Sequence, residues 1–216
     1  MKKQYIVFVI ILITFVLLTE FANRSIFRIP VTGLAQYTAL RGSMVHPVDN
    51  SPQHLDDFKE KFKNGDSAEI SGLYLNEESQ LIVVEQPSGR PEFVSNIPGT
   101  VTNFQNVVSE GVIGLLAHNY LSGEEFFSIN HSDEIHVVMG DGSVRSYRIK
   151  EFHSYQALDP QNPRSNFVNV KDGSILTARQ LFSTMYTGSD KLVLQTCIEE
   201  EGLLEWGRLF IIAQPI

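Results

Sequence analysis

From residue 68 to the C-terminus, apolar residues recur in short runs separated by Gly, Pro, Asn or Asp. Eight such runs stand out: "AEISGLYL", "QLIVVEQ", "PEFVSNI", "GVIGLLAH", "EIHVVM", "VRSYRIKEFHSY", "KLVLQT" and "RLFIIAQ". They are rich in Val, Ile, Phe and Tyr, residues that suit a pleated and half-buried surface, so each predicts a strand. "VVMGDGSVRSYRI" predicts a hairpin turning at Gly140, Asp141 and Gly142. Two segments break the pattern with helical spacing. In "SPQHLDDFKEKFKNGD", Ser51 suits an N-cap and Pro52 a first helical position, and Leu55, Phe58 and Phe62 fall on one face. Asn64-Gly65 then stops the helix, which is expected to pack on the domain. In "SILTARQLFSTMYTG", Ala178, Leu181, Phe182 and Met185 line one side, with Leu176, Gln180 and Thr184 on another. About eight strands with one or two short helices predict a mostly β protein, either a barrel or a sandwich.

Composition narrows the function classes. A net charge of −8 over 216 residues provides no basic field for nucleic acid. One cysteine, Cys197, rules out an intramolecular disulfide and any zinc site built on several thiolates. At the N-terminus, Lys2 and Lys3 precede an apolar and hydroxyl run from Tyr5 to Leu18. That run is close to the ~17-residue lower limit for a spanning helix. With no small-x-small pair close behind it, residues 1–22 read as an uncleaved signal-anchor. The preceding lysines favour a body outside the cytoplasm, while Arg24 and Arg28 beyond the run pull the other way. The expected organisation is an anchor over 1–22, a linker with a short helix over 23–66, and a β domain over 67–216. The expected location is the cell membrane, single-pass, with the β domain extracytoplasmic.

Thiol chemistry needs a nucleophile, a proton carrier and a positive group for the oxyanion. His118 ends the run "GLLAH", Cys197 ends "LVLQTC", and Arg208 opens "RLFII". If those runs are adjacent strands, the three side chains converge at one rim of a barrel. Each also has a plainer role: a lone Cys in a Val/Leu strand is commonly core, and a strand-end His or Arg is commonly solvated. Glu199, Glu200 and Glu201 follow the thiol and should disfavour its ionised form unless a loop turns them into solvent. Trp206, two residues before Arg208, either walls a groove or anchors the loop. Among other clusters, His131, Asp133, Glu134 and His136 in "HSDEIH" have no common metal-site spacing, and "GDG" is too short for a calcium loop. His153 lies in a strand and is assigned no role. No metal or cofactor is called for.

The ordered trio resembles the sortase family of cysteine transpeptidases. The family motif Thr-Leu-x-Thr-Cys reads here as "VLQTC", Val193 to Cys197; the first position departs and the Leu, Thr and Cys match. Arg208 follows Cys197 by eleven residues and His118, in "LLAHN", precedes it by 79. The resemblance spans about residues 70–216. It implies a closed β-barrel, with His118, Cys197 and Arg208 catalytic and Thr196 and Trp206 against the substrate. The implied activity is cleavage of a Leu-Pro-x-Thr-Gly-like sorting signal on a surface protein, through a thioester acyl-enzyme. The acyl group would pass to an amine of a cell-wall precursor or a pilin lysine. Two other readings share the sequence: an anchored, inactive barrel that binds a partner or serves as scaffold, and a thiol endopeptidase in which water takes the acyl group.

Overall fold

The computed structural model describes residues 53–107 and 111–216. The expected N-terminal anchor lies outside the described residues; among those described, no helix is long and apolar enough to cross a membrane. The described residues begin with helix α1 (Gln53–Lys61), followed by strands β1 (Ile70–Tyr74), β2 (Gln80–Glu85), β3 (Thr100–Asn103) and β4 (Val112–Leu116). A 3-10 helix (Ser122–Ser128) precedes β5 (Glu134–Met139), β6 (Val144–Ala157), β7 (Phe167–Asn169) and β8 (Ile175–Leu176). Helix α2 (Ala178–Tyr186), β9 (Lys191–Glu200) and β10 (Leu203–Pro215) complete the fold.

Eight strands run side by side in the order β10-β9-β4-β3-β2-β1-β5-β6, and a β6–β10 pairing closes them into a barrel. β6 makes closure possible by its length. Its first half pairs with β5 on one edge, and nearly all of it pairs with β10 on the other. Its last residues, Tyr155–Ala157, also carry β7, so that β7 and β8 extend from the barrel wall as a short flap. Two contacts are parallel, β2 with β3 and β4 with β9; the rest are antiparallel.

Period-two alternation sorts side chains into two cores on opposite faces of the wall. Leu192 and Leu194 of β9, with Ile211 and Ala213 of β10, point into the barrel beside Leu73, Leu115 and Val137. Val193 of β9 and Phe210 and Ile212 of β10 point outward, where α2 covers them with Leu181, Met185 and Tyr186. Covering both faces of one strand pair explains why "KLVLQT" and "RLFIIAQ" read as nearly unbroken apolar runs. α2 starts at a capping box: Thr177 and Gln180 satisfy each other's backbone N–H groups, which fixes where the helix begins on the wall.

The barrel has the expected eight strands with one member changed, and β7 and β8 are two short strands beyond those expected. "PEFVSNI" is not a strand but part of the long β2–β3 connection, and Thr100–Asn103 takes the place in the sheet. Pro91 has no N–H to give a ladder, and Ser95 is held by the side chains of Thr102 and Thr100 instead of a backbone ladder. The Gly140–Gly142 hairpin forms as expected, with Gly142 at φ +85° and its N–H donating to Met139 O.

α1 packs its apolar face on the barrel, as expected. Phe58 is 3% exposed and sits against Tyr74 and Val138. Gly72 makes this approach possible, because a Cβ there would stand 2.7 Å from the Phe58 ring. Phe58→Ala is expected to lower unfolding stability by about 3 kcal/mol in urea titrations, as buried Phe truncations do. A loss under about 1 kcal/mol would contradict the tight docking of α1.

Candidate active site

Strand register sets Arg208 beside Cys197, and His118 follows the end of β4, the strand on the other side of β9. Arg208 of β10 lies directly opposite Cys197 of β9 in the antiparallel pairing. On the other side, Leu116 of β4 is level with Gln195 in the parallel pairing, and the Ala117 N–H donates to Gln195 O at 3.1 Å. His118 lies two residues beyond Leu116, just past the end of β4. All three border one cavity of about 360 Å³.

The site does not stand on the barrel rim. Cys197 shares its face with Val193, and Arg208 shares its face with Phe210 and Ile212, all members of the outer core. The site is therefore a groove on the outside of the barrel wall. Gln195, Cys197, Arg208 and Phe210 form its floor. Pro91, Glu92, Val94 and Phe104 form one side, and Leu181, Phe182 and Tyr186 of α2 the other. Phe104 joins the two sides through edge-on contacts with Tyr186 (5.2 Å) and Phe182 (6.1 Å). Most of the residues that line the groove are apolar.

Nor do the strands end where the sequence suggested. β9 continues past Cys197 to Glu200, and Arg208 is the sixth residue of β10. Glu201 (φ +50°) and Gly202 (φ +80°) form a two-residue turn between them. Positive φ at both positions is what a type I′ hairpin requires, so the turn is tight and twists with the strands. Glu199, Glu200 and Glu201 are exposed on this hairpin. The carboxylate that acts on Cys197 is that of Glu205.

Three influences set the ionisation of Cys197. Burial raises the thiol above its ordinary value and is the largest; the Arg208 guanidinium lowers it, and Glu205 raises it. The net direction is upward, so the neutral thiol prevails in the empty groove. Arg208 is anchored by Nη1, which donates to Gly207 O at 2.8 Å and Glu205 O at 3.1 Å. It forms no ion pair among the described residues, which keeps its charge available to the groove.

His118 is held through its backbone and its ring. Its carbonyl accepts from the N–H groups of Leu121 and Gly123, both at 3.0 Å, and its ring stacks on Tyr120 at 5.1 Å. Asn119 next to it donates from Nδ2 to Leu204 O at 3.0 Å, tying the histidine's loop to the β9–β10 hairpin. Gly123 cannot carry a side chain, since a Cβ would lie 2.7 Å from His118 O and closer still to Thr196 Oγ1.

The two other residues singled out in the sequence fall differently. Thr196 borders the cavity, but it is 2% exposed and its side chain faces the barrel interior under Gly123, its hydroxyl having no hydrogen-bond partner among the described residues. Trp206 is half-buried on β10 and does not border the cavity. The register shift between Leu203 and Gly207 breaks the alternation that would have aligned it with Arg208. Sequence reasoning missed Glu205, Asn119 and Gln195. Gln195 had a usable signal, for it precedes Cys197 by one strand period; it accepts from the Tyr186 hydroxyl at 2.6 Å. The "HSDEIH" residues disperse: His131 packs on Phe152, His136 meets Ser146, and Glu134 pairs with Arg148. His153 bonds Glu151 away from the groove.

No family model matches the chain, and no curated protein matches it. Solved structures similar to it are sortases of classes A, C, D and E. The sortase D5 transpeptidase of Clostridium perfringens is 14% identical, with a TM-score of 0.44 over 78% of this chain and 90% of that one. Sortase A of Listeria monocytogenes is 12% identical, with a TM-score of 0.43 over 70% and 88%. Sortase C-1 of Actinomyces oris is 11% identical, with a TM-score of 0.46 over 78% and 81%. Such identities transfer no residue roles, which here rest on the groove itself.

The three influences on Cys197 predict a pH profile. Alkylation by iodoacetamide should rise with an inflection above the ordinary thiol value of ~8.5. Arg208→Ala should move the inflection further up, and Glu205→Gln should move it down. A downward shift in Arg208→Ala would show that the guanidinium does not reach the sulfur.

Proposed function

We propose that this chain is a sortase-like cysteine transpeptidase acting on an extended peptide. The observation that carries the reading is that His118, Cys197 and Arg208 border one cavity on the barrel wall, with Arg208 opposite Cys197 in the β9–β10 ladder. A cysteine serving only as core would have no need of a groove, a facing guanidinium and an imidazole on the same cavity.

The chemistry follows from the positions. The peptide lies along the groove with its scissile carbonyl over Cys197. Because burial keeps the thiol neutral, His118 takes the proton as the sulfur attacks the carbonyl carbon. A carbon–sulfur bond forms, and the carbonyl oxygen gains negative charge beside Arg208. Collapse of that intermediate breaks the carbon–nitrogen bond. His118 returns the proton to the departing amine, leaving a thioester on Cys197. An acceptor amine then attacks the thioester, gives its proton to His118, and releases the sulfur to be reprotonated.

The donor in this reading is a surface protein bearing a Leu-Pro-x-Thr-Gly-like sorting signal. The acceptor is an amine of a cell-wall precursor or a pilin lysine, and residues 1–22 hold the barrel outside the membrane. Water as acceptor would make the same site an endopeptidase, a difference that the product with added amine reveals.

Turnover of a fluorogenic Leu-Pro-x-Thr-Gly peptide should vanish in Cys197→Ala and His118→Ala. Arg208→Ala should lower kcat by roughly 10²–10³, the scale of removing one oxyanion donor. Cleavage persisting in Cys197→Ala would refute the mechanism.

A further inference from the structure

One buried amide joins two pieces of the groove wall. Gln86, directly after β2, is 5% exposed, unusual for a polar residue with a long side chain. Its Nε2 donates to Pro91 O at 2.9 Å and to Phe93 O at 3.0 Å, while its Oε1 accepts from Gln105 N at 3.2 Å. Both donor hydrogens and the acceptor are thus committed to backbone groups.

Those groups belong to two stretches that face the peptide. Pro91, Glu92 and Val94 border the cavity from the β2–β3 connection, and Phe104 borders it just before Gln105. No strand ladder holds the first stretch, because "PEFVSNI" is not a strand. Its carbonyls would otherwise need water or a partner strand. Gln86 supplies the missing bonds from beneath. Thr102 Oγ1, accepting from Ser95 N at 2.8 Å, holds the far end of the same stretch.

We propose that Gln86 is a positioning residue for substrate recognition: it fixes the Pro91–Val94 wall to the Phe104–Gln105 segment, so that the groove is formed before the peptide arrives. This rests on the functional reading above. A preformed wall spares the peptide the cost of ordering a loop, so loss of Gln86 weakens peptide binding while leaving chemistry at Cys197 intact. Gln86 borders neither the thiol nor the groove floor, which allows the two effects to be separated.

The test compares two reagents on the full-length chain. Iodoacetamide reports the reactivity of Cys197 alone. A Leu-Pro-Ala-Thr chloromethyl ketone alkylates the same sulfur, releasing chloride, after saturable binding in the groove. Gln86→Met keeps the length and removes all three bonds. Gln86→Glu keeps an acceptor for Gln105 N and removes both donors, and it carries the test should the Met variant fail to unfold cooperatively. In a folded variant, half-saturation for the ketone should rise at least about tenfold. The maximal inactivation rate and the iodoacetamide rate should stay within about twofold.

Half-saturation within twofold of wild type in a folded variant would overturn the proposal. A parallel fall in the iodoacetamide rate would overturn it too, showing that Gln86 supports the whole site and not the wall. Wild type that reacts with iodoacetamide yet shows no saturable reaction with the ketone would overturn the functional reading, and the positioning role with it.

Discussion

The register of β9 between β4 and β10 is the constraint on which the site depends. Side chains in a strand alternate faces, so a slip of one residue would turn Cys197 into the barrel and Thr196 out of it. Two opposing hydrophobic demands prevent that slip. Leu192 and Leu194 must fill the barrel, and Val193 must meet Phe210 and α2 outside. The same alternation that satisfies both cores presents Cys197 outward, opposite Arg208 and toward the cavity that His118 also borders. The fold's packing energy thus fixes the geometry of the reactive pair, with no dedicated scaffold needed.

Around that pair, the groove combines features that oppose one another. Its apolar sides suit a peptide and raise the thiol above its ordinary value, while Arg208 partly offsets this and Glu205 adds to it. Desolvation of this kind works against an idle thiolate and in favour of proton transfer coupled to attack. The tight Glu201-Gly202 turn keeps the acidic hairpin residues in solvent, where screening limits their influence on the sulfur. Short connections hold the moving parts few: Asn119 ties the histidine loop to the hairpin, and Gly123 lets the 3-10 helix close over Thr196.

Much of this was legible in the residues, and the failures have physical causes. Strand existence followed for most strands from runs of β-branched and aromatic residues, and α2 from its spacing. The order His118, Cys197, Arg208 could be read, because residues at ends of apolar runs draw notice. What the sequence could not convey was which face each residue takes once both faces of a strand are buried. With no alternation visible in "KLVLQT", the outer-wall location looked like a rim. "PEFVSNI" misled because its composition suits a strand, whereas a nearby side-chain amide, Gln86, binds its carbonyls instead. Trp206 misled because a register shift before Gly207 cannot be seen in spacing alone. Glu205 was overshadowed by three glutamates nearer in sequence but farther in effect.

The central claim is that Cys197 carries an acyl group taken from a peptide bound in the outer groove. Its most direct test is the intact mass of the protein, quenched in acid after mixing with a Leu-Pro-Ala-Thr-Gly peptide. The account predicts a mass increase equal to the acyl fragment, located on Cys197 and removed by hydroxylamine. An unmodified protein whose Cys197 reacts with iodoacetamide only after denaturation would contradict it, and would leave the barrel as a binding domain with a buried thiol.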